Sequence, residues 1–299
     1  MINALRRATL ALALAVLGLL GRLPLRFYHA LGALLGHLAY RFSERYSRRM
    51  REHLRLSGIC KDAQEYQRVL HATIEETGKQ AIESIALWFR PQAQAAALVR
   101  SATGEEEVLE AYREGRGVIL LTPHLGCFEI LGIYGAQRFP ITVLYRPPRV
   151  AWLEALIVAG RARGNEKLAP ANLKGVRTLI KALKNGETIG VLPDQAPARG
   201  EGVWVDFFGR PAYTMTLIGR LWETTRPPVF VAAALRRPAG GGYDIHVQRV
   251  EGDLSGEAGA RRINAAIEKA ILLCPEQYLW SYNRHKRPHG APPPPARAQ

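Results

Sequence analysis

The stretch GVILLTPHLGCFEILG, residues 117–132, ends an uncharged run on a histidine and places a glutamate five residues later. A neutral imidazole can take the proton of a weak acid such as an alcohol while the oxygen forms its new bond, a role worth about 10²–10⁴-fold in rate. A carboxylate beside the ring would fix its tautomer and stabilise the imidazolium, and Glu129 is placed to do this for His124. The same spacing recurs at His71/Glu76 and His246/Glu251. His71 lies in a helical pattern, where five residues turn through about 500° and leave the carboxylate about 140° away, so this pair reads as a solvated face. His246 falls within a strand pattern with its glutamate in the following turn, which reads as structural. Only His124 stands at the end of a buried strand, followed by Gly126 and a helical run. Open α/β sheets form their ligand sites there, beyond the carboxyl ends of the strands. The competing reading is a hydrogen-bonded core histidine with a surface glutamate.

Three further stretches fall at equivalent places: YRPPR (145–149), GRARGN (160–165) and LPDQ (192–195). They bring Arg146, Arg161, Arg163 and Asp194 to the strand ends that carry His124. Arginine there suits bidentate binding of phosphate. Backbone N–H groups near Gly126, at the start of the next helix, are candidate donors to a developing oxyanion. Cys60, Cys127 and Cys274 lack metal-ligand spacing and read as reduced structural thiols, so no metal is expected.

These residues need a scaffold. GVILLTP, ITVLYRP, ETIGVLPD, PVFVAAALRR and YDIHVQRV are rich in β-branched residues and alternate with helix-like segments. That alternation predicts a mixed, largely parallel sheet flanked by helices, with the last two strands an antiparallel pair turned at PAGGG. Asn172 to Gly186 is the clearest helix: Asn172 caps it, apolar residues recur at 176, 179, 180 and 183, and Gly186 ends it. IEETGKQAIESIALWF predicts an amphipathic helix beside the sheet. The tail, residues 288–299, has little apolar content to bury and reads as disordered.

The chain of 299 residues carries a formal charge of +15, and residues 1–56 hold ten arginines against Glu44 and Glu52. Such a segment seeks an anionic partner, either nucleic acid or phospholipid headgroups. Two apolar runs, Ala8–Gly21 and Phe27–Tyr40, decide for the membrane. Neither alone reaches the roughly 20 residues of a span, although snorkelling by Arg6, Arg7 and Arg22 would extend the first. The alternatives are a cleaved secretory signal, for which no small-x-small site follows, and a buried amphipathic helix pair. Arginines cluster far more densely after the first run than before it, which puts the bulk of the chain in the cytoplasm. The division predicted is a membrane anchor over 1–45, a catalytic domain over 46–287 and the tail.

TPHLGCFE, YRPPR, GRARGN, LPDQ, VDFFGRPAYT and CPEQYLWSYNRHKRP together resemble, in the same order, the late acyltransferases of lipid A biosynthesis, the lauroyl/myristoyl group. The resemblance runs from about Ile74 to Pro288 and includes the N-terminal anchor. It implies a glycerolipid-acyltransferase-like fold and an enzyme of the bacterial inner membrane with its catalytic domain on the cytoplasmic face. The implied reaction moves an acyl chain from acyl carrier protein to a hydroxyl of a Kdo-bearing lipid A precursor, with no cofactor and no nucleic acid. His124 and Glu129 become the catalytic dyad, Arg161 and Asp194 match active-site positions, and Arg146, Arg163 and Gln195 share the substrate-binding motifs. Cys127 is a small-residue departure from the commonest pattern. Two alternatives stay open: an acyltransferase of the same superfamily acting on another lipid acceptor, and a non-enzymatic basic protein of the membrane surface.

Overall fold

A computed structural model of the chain describes residues 18–148, 151–198 and 200–295. Its strands are β1 (Val99–Thr103), β2 (Val118–Leu121), β3 (Ile141–Tyr145), β4 (Glu166–Pro170), β5 (Thr188–Val191), β6 (Gly202–Phe207), β7 (Arg210–Met215), β8 (Val229–Arg236) and β9 (Tyr243–Arg249). Seven of them make one sheet in the order β1-β9-β8-β2-β5-β3-β4, and β6 and β7 pair as a separate hairpin. From β8 to β4 all neighbours are parallel, whereas β9 runs antiparallel to β8. β2 and β5, at the centre, are buried along their whole length because helices cover both faces. Ile119 and Leu121 of β2 join one core cluster while Val118 and Leu120 join another, the period of two that a strand imposes.

The helices are α1 (Leu25–Phe42), α2 (Glu44–Leu56), α3 (Ala63–Trp88), α4 (Gln92–Ala96), α5 (Glu105–Arg113), α6 (Phe128–Gly135), α7 (Ala151–Arg161), α8 (Leu173–Lys184), α9 (Leu217–Thr225) and α10 (Gly256–Leu273). Helices α2, α3, α8, α9 and α10 contribute to the larger core cluster, and α4, α5 and α6 to the others. The predicted helix after Asn172 is α8, with the Asn172 side chain accepting from the Gly175 N–H at 3.0 Å. The antiparallel pair is β8 and β9, turned through Pro238–Gly240.

Three elements were not foreseen: β1, β4 and the β6–β7 hairpin. VRSAT and EKLAP are short, polar edge strands, specified by one neighbour each. The hairpin turns on Phe208 and Gly209, both with positive φ, a geometry the flanking twist favours but which lacks the usual Asn-Gly spelling.

The N-terminal expectation divides. Most of Ala8–Gly21 lies outside the described residues, and among those described no helix is long and apolar enough to cross a membrane. The second run forms α1, which packs on α3 backbone to backbone: a Cβ on Gly78 would lie 1.9 Å from the Gly32 carbonyl oxygen, and one on Gly36 would lie 2.2 Å from that of Ile74. A boundary at residue 45 therefore cuts through packed structure. Along the other side of α1, Phe27, Leu31, Leu34, Leu35, Leu38 and Phe42 face outward. The tail is also corrected in part, because Ala291 is buried and the Pro292 carbonyl accepts from Trp204 Nε1 at 3.0 Å.

Candidate active site

Parallel neighbours in register carry equal offsets to the same place. Leu121 of β2 lies opposite Val191 of β5, and the Thr122 N–H donates to the Val191 carbonyl at 2.9 Å. Three residues beyond each, His124 and Asp194 therefore meet. His124 Nδ1 is 2.8 Å from Asp194 Oδ1, and the His124 backbone N–H donates to Oδ2 at 2.9 Å. Burial opposes ionisation of Asp194, but the electrostatic attraction of the His124 ring and the N–H groups directed at the carboxylate hold its pKa below the usual carboxylate range. An ionised carboxylate only accepts, so Nδ1 carries the ring proton and Nε2 presents the lone pair. Gln195 Nε2 lies 3.1 Å from that nitrogen, in position to donate to it.

Glu129 does not fold back to the imidazole as expected. The chain enters α6 at Phe128, and the Phe128 ring sits 5.1 Å from that of His124. Glu129, in the first turn of α6, instead accepts from Trp88 Nε1 at 2.9 Å and from Arg161 Nε at 2.9 Å, with a second bond from Arg161 Nη2 closing a bidentate fork. The Arg161 guanidinium also lies over the Trp88 ring, 5.5 Å from its centroid. Burial works against the charge on Arg161, and Glu129 more than offsets it. Glu166, at the start of β4, completes the cluster. Burial first, and the Glu129 charge second, push its carboxyl up to about 8, so it is largely protonated at neutral pH. Nothing in the sequence singled out Trp88 or Glu166, which come from distant elements.

The turn between the imidazole and Glu129 is tightly held. Gly126 has φ +59°, and a Cβ there would lie 2.0 Å from the Ala234 carbonyl oxygen. The Gly126 N–H donates to the Gln277 carbonyl at 3.0 Å, and that of Cys127 to Ala234 at 2.8 Å. This overturns the expectation that Gly126 supplies an oxyanion donor, since its hydrogen already has an acceptor. The Gly126 carbonyl accepts from Gln80 Nε2 at 3.0 Å and from Arg236 Nη2 at 2.8 Å. Arg236 in turn sits in the core on Glu83, whose carboxyl it holds down at about 2 despite complete burial.

The remaining arginines separate. Arg146 is exposed at the end of β3, with no hydrogen bond or ion pair among the described residues, and Arg149 lies outside them. Arg163 lends its charge to Glu166 but makes its hydrogen bonds elsewhere: its guanidinium donates to the carbonyls of Gly160, Arg90 and Leu87 at 3.0, 2.9 and 3.0 Å and so caps the end of α3. The other two His/Glu pairs are not pairs. Glu251 bridges to Arg249 at 3.2 Å, and Glu76, far from solvated, bridges Lys79 at 2.7 Å and buried Arg236 at 3.1 Å. The cysteines are free thiols. Next to Phe128, an open cleft runs between α6 and the sheet, lined by Leu120, Leu131, Ile141, Val143 and Leu192, with Phe128, Glu129, Arg161 and Glu166 also on its wall.

A partly exposed histidine backed by a buried aspartate, close to an apolar cleft and with an arginine locked in place on its wall, suits acyl transfer from a lipid-like donor. The family model described as bacterial lipid A biosynthesis acyltransferase matches residues 1–287. The lipid A biosynthesis lauroyltransferase of Escherichia coli K12 is 30% identical over 293 residues, covering 94% of this chain and 92% of that protein. The palmitoleoyltransferase of the same strain is 28% identical over 287 residues, covering 93% and 91%. A lipid A biosynthesis acyltransferase of Haemophilus influenzae is 29% identical over 266 residues, covering 86% and 82%. With a match that spans nearly its whole length, this chain belongs to the bacterial lipid A biosynthesis acyltransferase family.

Proposed function

We propose that the protein transfers a fatty acyl chain from acyl carrier protein to a hydroxyl of a Kdo-bearing lipid A precursor, with His124 as general base. The observation that carries this is the Asp194–His124 pair, which leaves Nε2 basic and reachable at the strand ends. The acceptor hydroxyl displaces the Gln195 amide from Nε2, and His124 takes its proton as the oxygen attacks the thioester carbonyl. The tetrahedral oxyanion then collapses, the carbon–sulfur bond breaks, and the imidazolium gives its proton to the leaving sulfur, so that the carrier departs as a thiol and the ring is neutral again. Asp194 stabilises that cation while it exists. Once displaced, the Gln195 amide is a donor within reach of the oxyanion, in place of the Gly126 N–H.

The Glu129–Arg161–Trp88 assembly fixes a guanidinium beside the cleft, and exposed Arg146 adds a second cation for the acceptor's phosphates. The apolar cleft takes the acyl chain. The donor thioester brings the acyl group already activated, so the chemistry asks for no cofactor. Incubation with radiolabelled acyl-acyl carrier protein and a Kdo-bearing precursor is expected to label the precursor at a hydroxyl. Faster labelling of glycerol phosphate would move the protein to another acceptor, and no transfer to any lipid would remove the enzymatic reading.

The same reading places the protein on the cytoplasmic face of the bacterial inner membrane, held there through α1. Its outward leucines and phenylalanines are flanked by exposed Arg22, Arg26, Arg41, Arg45 and Arg48, the arrangement of a helix that lies in an anionic interface. The full-length protein carrying Leu34→Asp with Leu38→Asp is expected to bind phosphatidylglycerol-containing vesicles at least about tenfold more weakly in flotation, since each substitution replaces buried apolar area with a charge like that of the lipid. Unchanged flotation would assign membrane binding to a different segment.

A further inference from the structure

Helix α1 crosses α3 so closely that glycine backbones touch, and one flank of that crossing gathers a set of donors unrelated to the reaction. His71 and Glu75 stand one turn apart on α3, and His37 approaches them from α1. One ligand atom from each of the three lies within 4.8 Å of the others. His37 Nε2 is 3.5 Å from Glu75 Oε1, and the two imidazole rings are 5.2 Å apart. We propose that His37, His71 and Glu75 form a binding site for a divalent transition-metal ion of the zinc type, which ties α1 to α3.

The geometry suits such an ion. Zinc takes His nitrogen and carboxylate oxygen at about 2.0–2.2 Å in a tetrahedron, which sets donor atoms roughly 3.3–3.6 Å apart. The His37–Glu75 spacing already falls in that range. Two nitrogens and one oxygen favour zinc, nickel or copper over magnesium or calcium, whose sites are built of oxygen. Partial exposure of His37 and Glu75, and the greater exposure of His71, leaves the fourth position to water.

The frame is stiff, because Gly32, Gly36 and Gly78 fix how far apart the two helices can sit. Lys79 is the competing cation, 3.5 Å from Glu75 Oε2, but it is 2.7 Å from Glu76 Oε1 and keeps that partner if Glu75 turns to a metal. Farther along α3 are Gln80 and Trp88, which hold the Gly126 carbonyl and Glu129. A bound ion would thus anchor the apolar helix α1 to the element that supports the catalytic turn, without entering the chemistry. The site is independent of the catalytic reading, since it shares no residue with it.

The test is zinc titration of the full-length protein, purified in detergent without a polyhistidine tag, against a chromophoric chelator and by thermal melting. One zinc per chain and a raised melting temperature are expected, with binding lost as pH falls and the imidazoles protonate. His37→Asn and His71→Asn should each weaken zinc binding about tenfold or more and abolish the thermal shift, whereas Lys79→Met should leave both or strengthen them. Cys60→Ser, which removes a partly exposed thiol, should change neither. Zinc binding unchanged in the His37→Asn/His71→Asn double variant, or no binding by the unsubstituted protein, would overturn the proposal.

Discussion

Asp194→Asn is expected to lower the rate of acyl transfer by about 10³–10⁴ while the protein stays folded, close to the loss expected for His124→Ala. Asp194 accepts twice from His124, at 2.8 Å from Nδ1 and at 2.9 Å from the backbone N–H. Asparagine offers one acceptor oxygen, so it cannot satisfy both. If its oxygen stays on the backbone N–H, its NH₂ faces Nδ1 and drives the ring proton to Nε2, where a general base must have its lone pair. The imidazolium that forms during attack would also lose its counter-charge in a buried setting. Because these losses arise at the transition state, kcat should fall far more than KM rises. Initial rates with an acyl-acyl carrier protein donor measure this, with circular dichroism as the check on folding. Glu129→Gln distinguishes the two carboxylates: it breaks the fork on Arg161 and leaves the His124 tautomer alone, so its loss should be smaller. An Asp194→Asn protein that kept more than about a tenth of its activity, beside an inactive Glu129→Gln, would return the partnership to Glu129.

The location of His124 was legible because it depends on local pattern, an uncharged β-branched run followed by glycine and a helical period. Helix α8 was legible for the same reason, its cap and its stop lying within fifteen residues. What His124 touches was not legible. Asp194 is 70 residues away, and its place depends on β5 lying next to β2 while β3 lies beyond β5, an order no local pattern encodes. The same holds for Glu129, whose partners Arg161 and Trp88 come from the ends of α7 and α3. At the N-terminus a usable pattern was present: Gly32 and Gly36, four apart in LGALLG, are the spacing by which helices approach closely. That spacing splits the second apolar run into a packed face and an exposed one. The proline-rich tail misled because composition describes what a segment can bury by itself, whereas residues 291 and 292 are held by Trp204 and the body of the protein.

Arg236→Met should be the most destabilising single change, by about 3–5 kcal/mol, because it strands the Glu83 carboxylate in the core. Glu83 is 1% exposed and receives Arg236 Nε on both oxygens at 3.0 Å, a further bond from Nη2, and the Tyr243 hydroxyl at 3.0 Å, with His29 Nε2 at 3.3 Å. Its pKa of about 2 lies below the ordinary 4.5, so in the unsubstituted protein Glu83 contributes stability that is present above pH about 4.5 and lost as pH falls through about 2. Without the guanidinium, burial raises the carboxyl instead, the folded state binds the extra proton, and the variant should gain stability as pH is lowered from neutrality. Urea unfolding at a series of pH values reads both the loss and this reversal of sign. Glu83→Leu combined with Arg236→Met removes the stranded charge and should recover more than half of the loss, the remainder reflecting Tyr243 and His29. Activity should not recover with it. Arg236 also donates to the Gly126 carbonyl at 2.8 Å, and the turn that joins His124 to α6 would be left with Gln80 alone on that oxygen. A double variant that was stable yet slow in acyl transfer would separate the two duties of Arg236, whereas one with full activity would show that the carbonyl contact does not position the base.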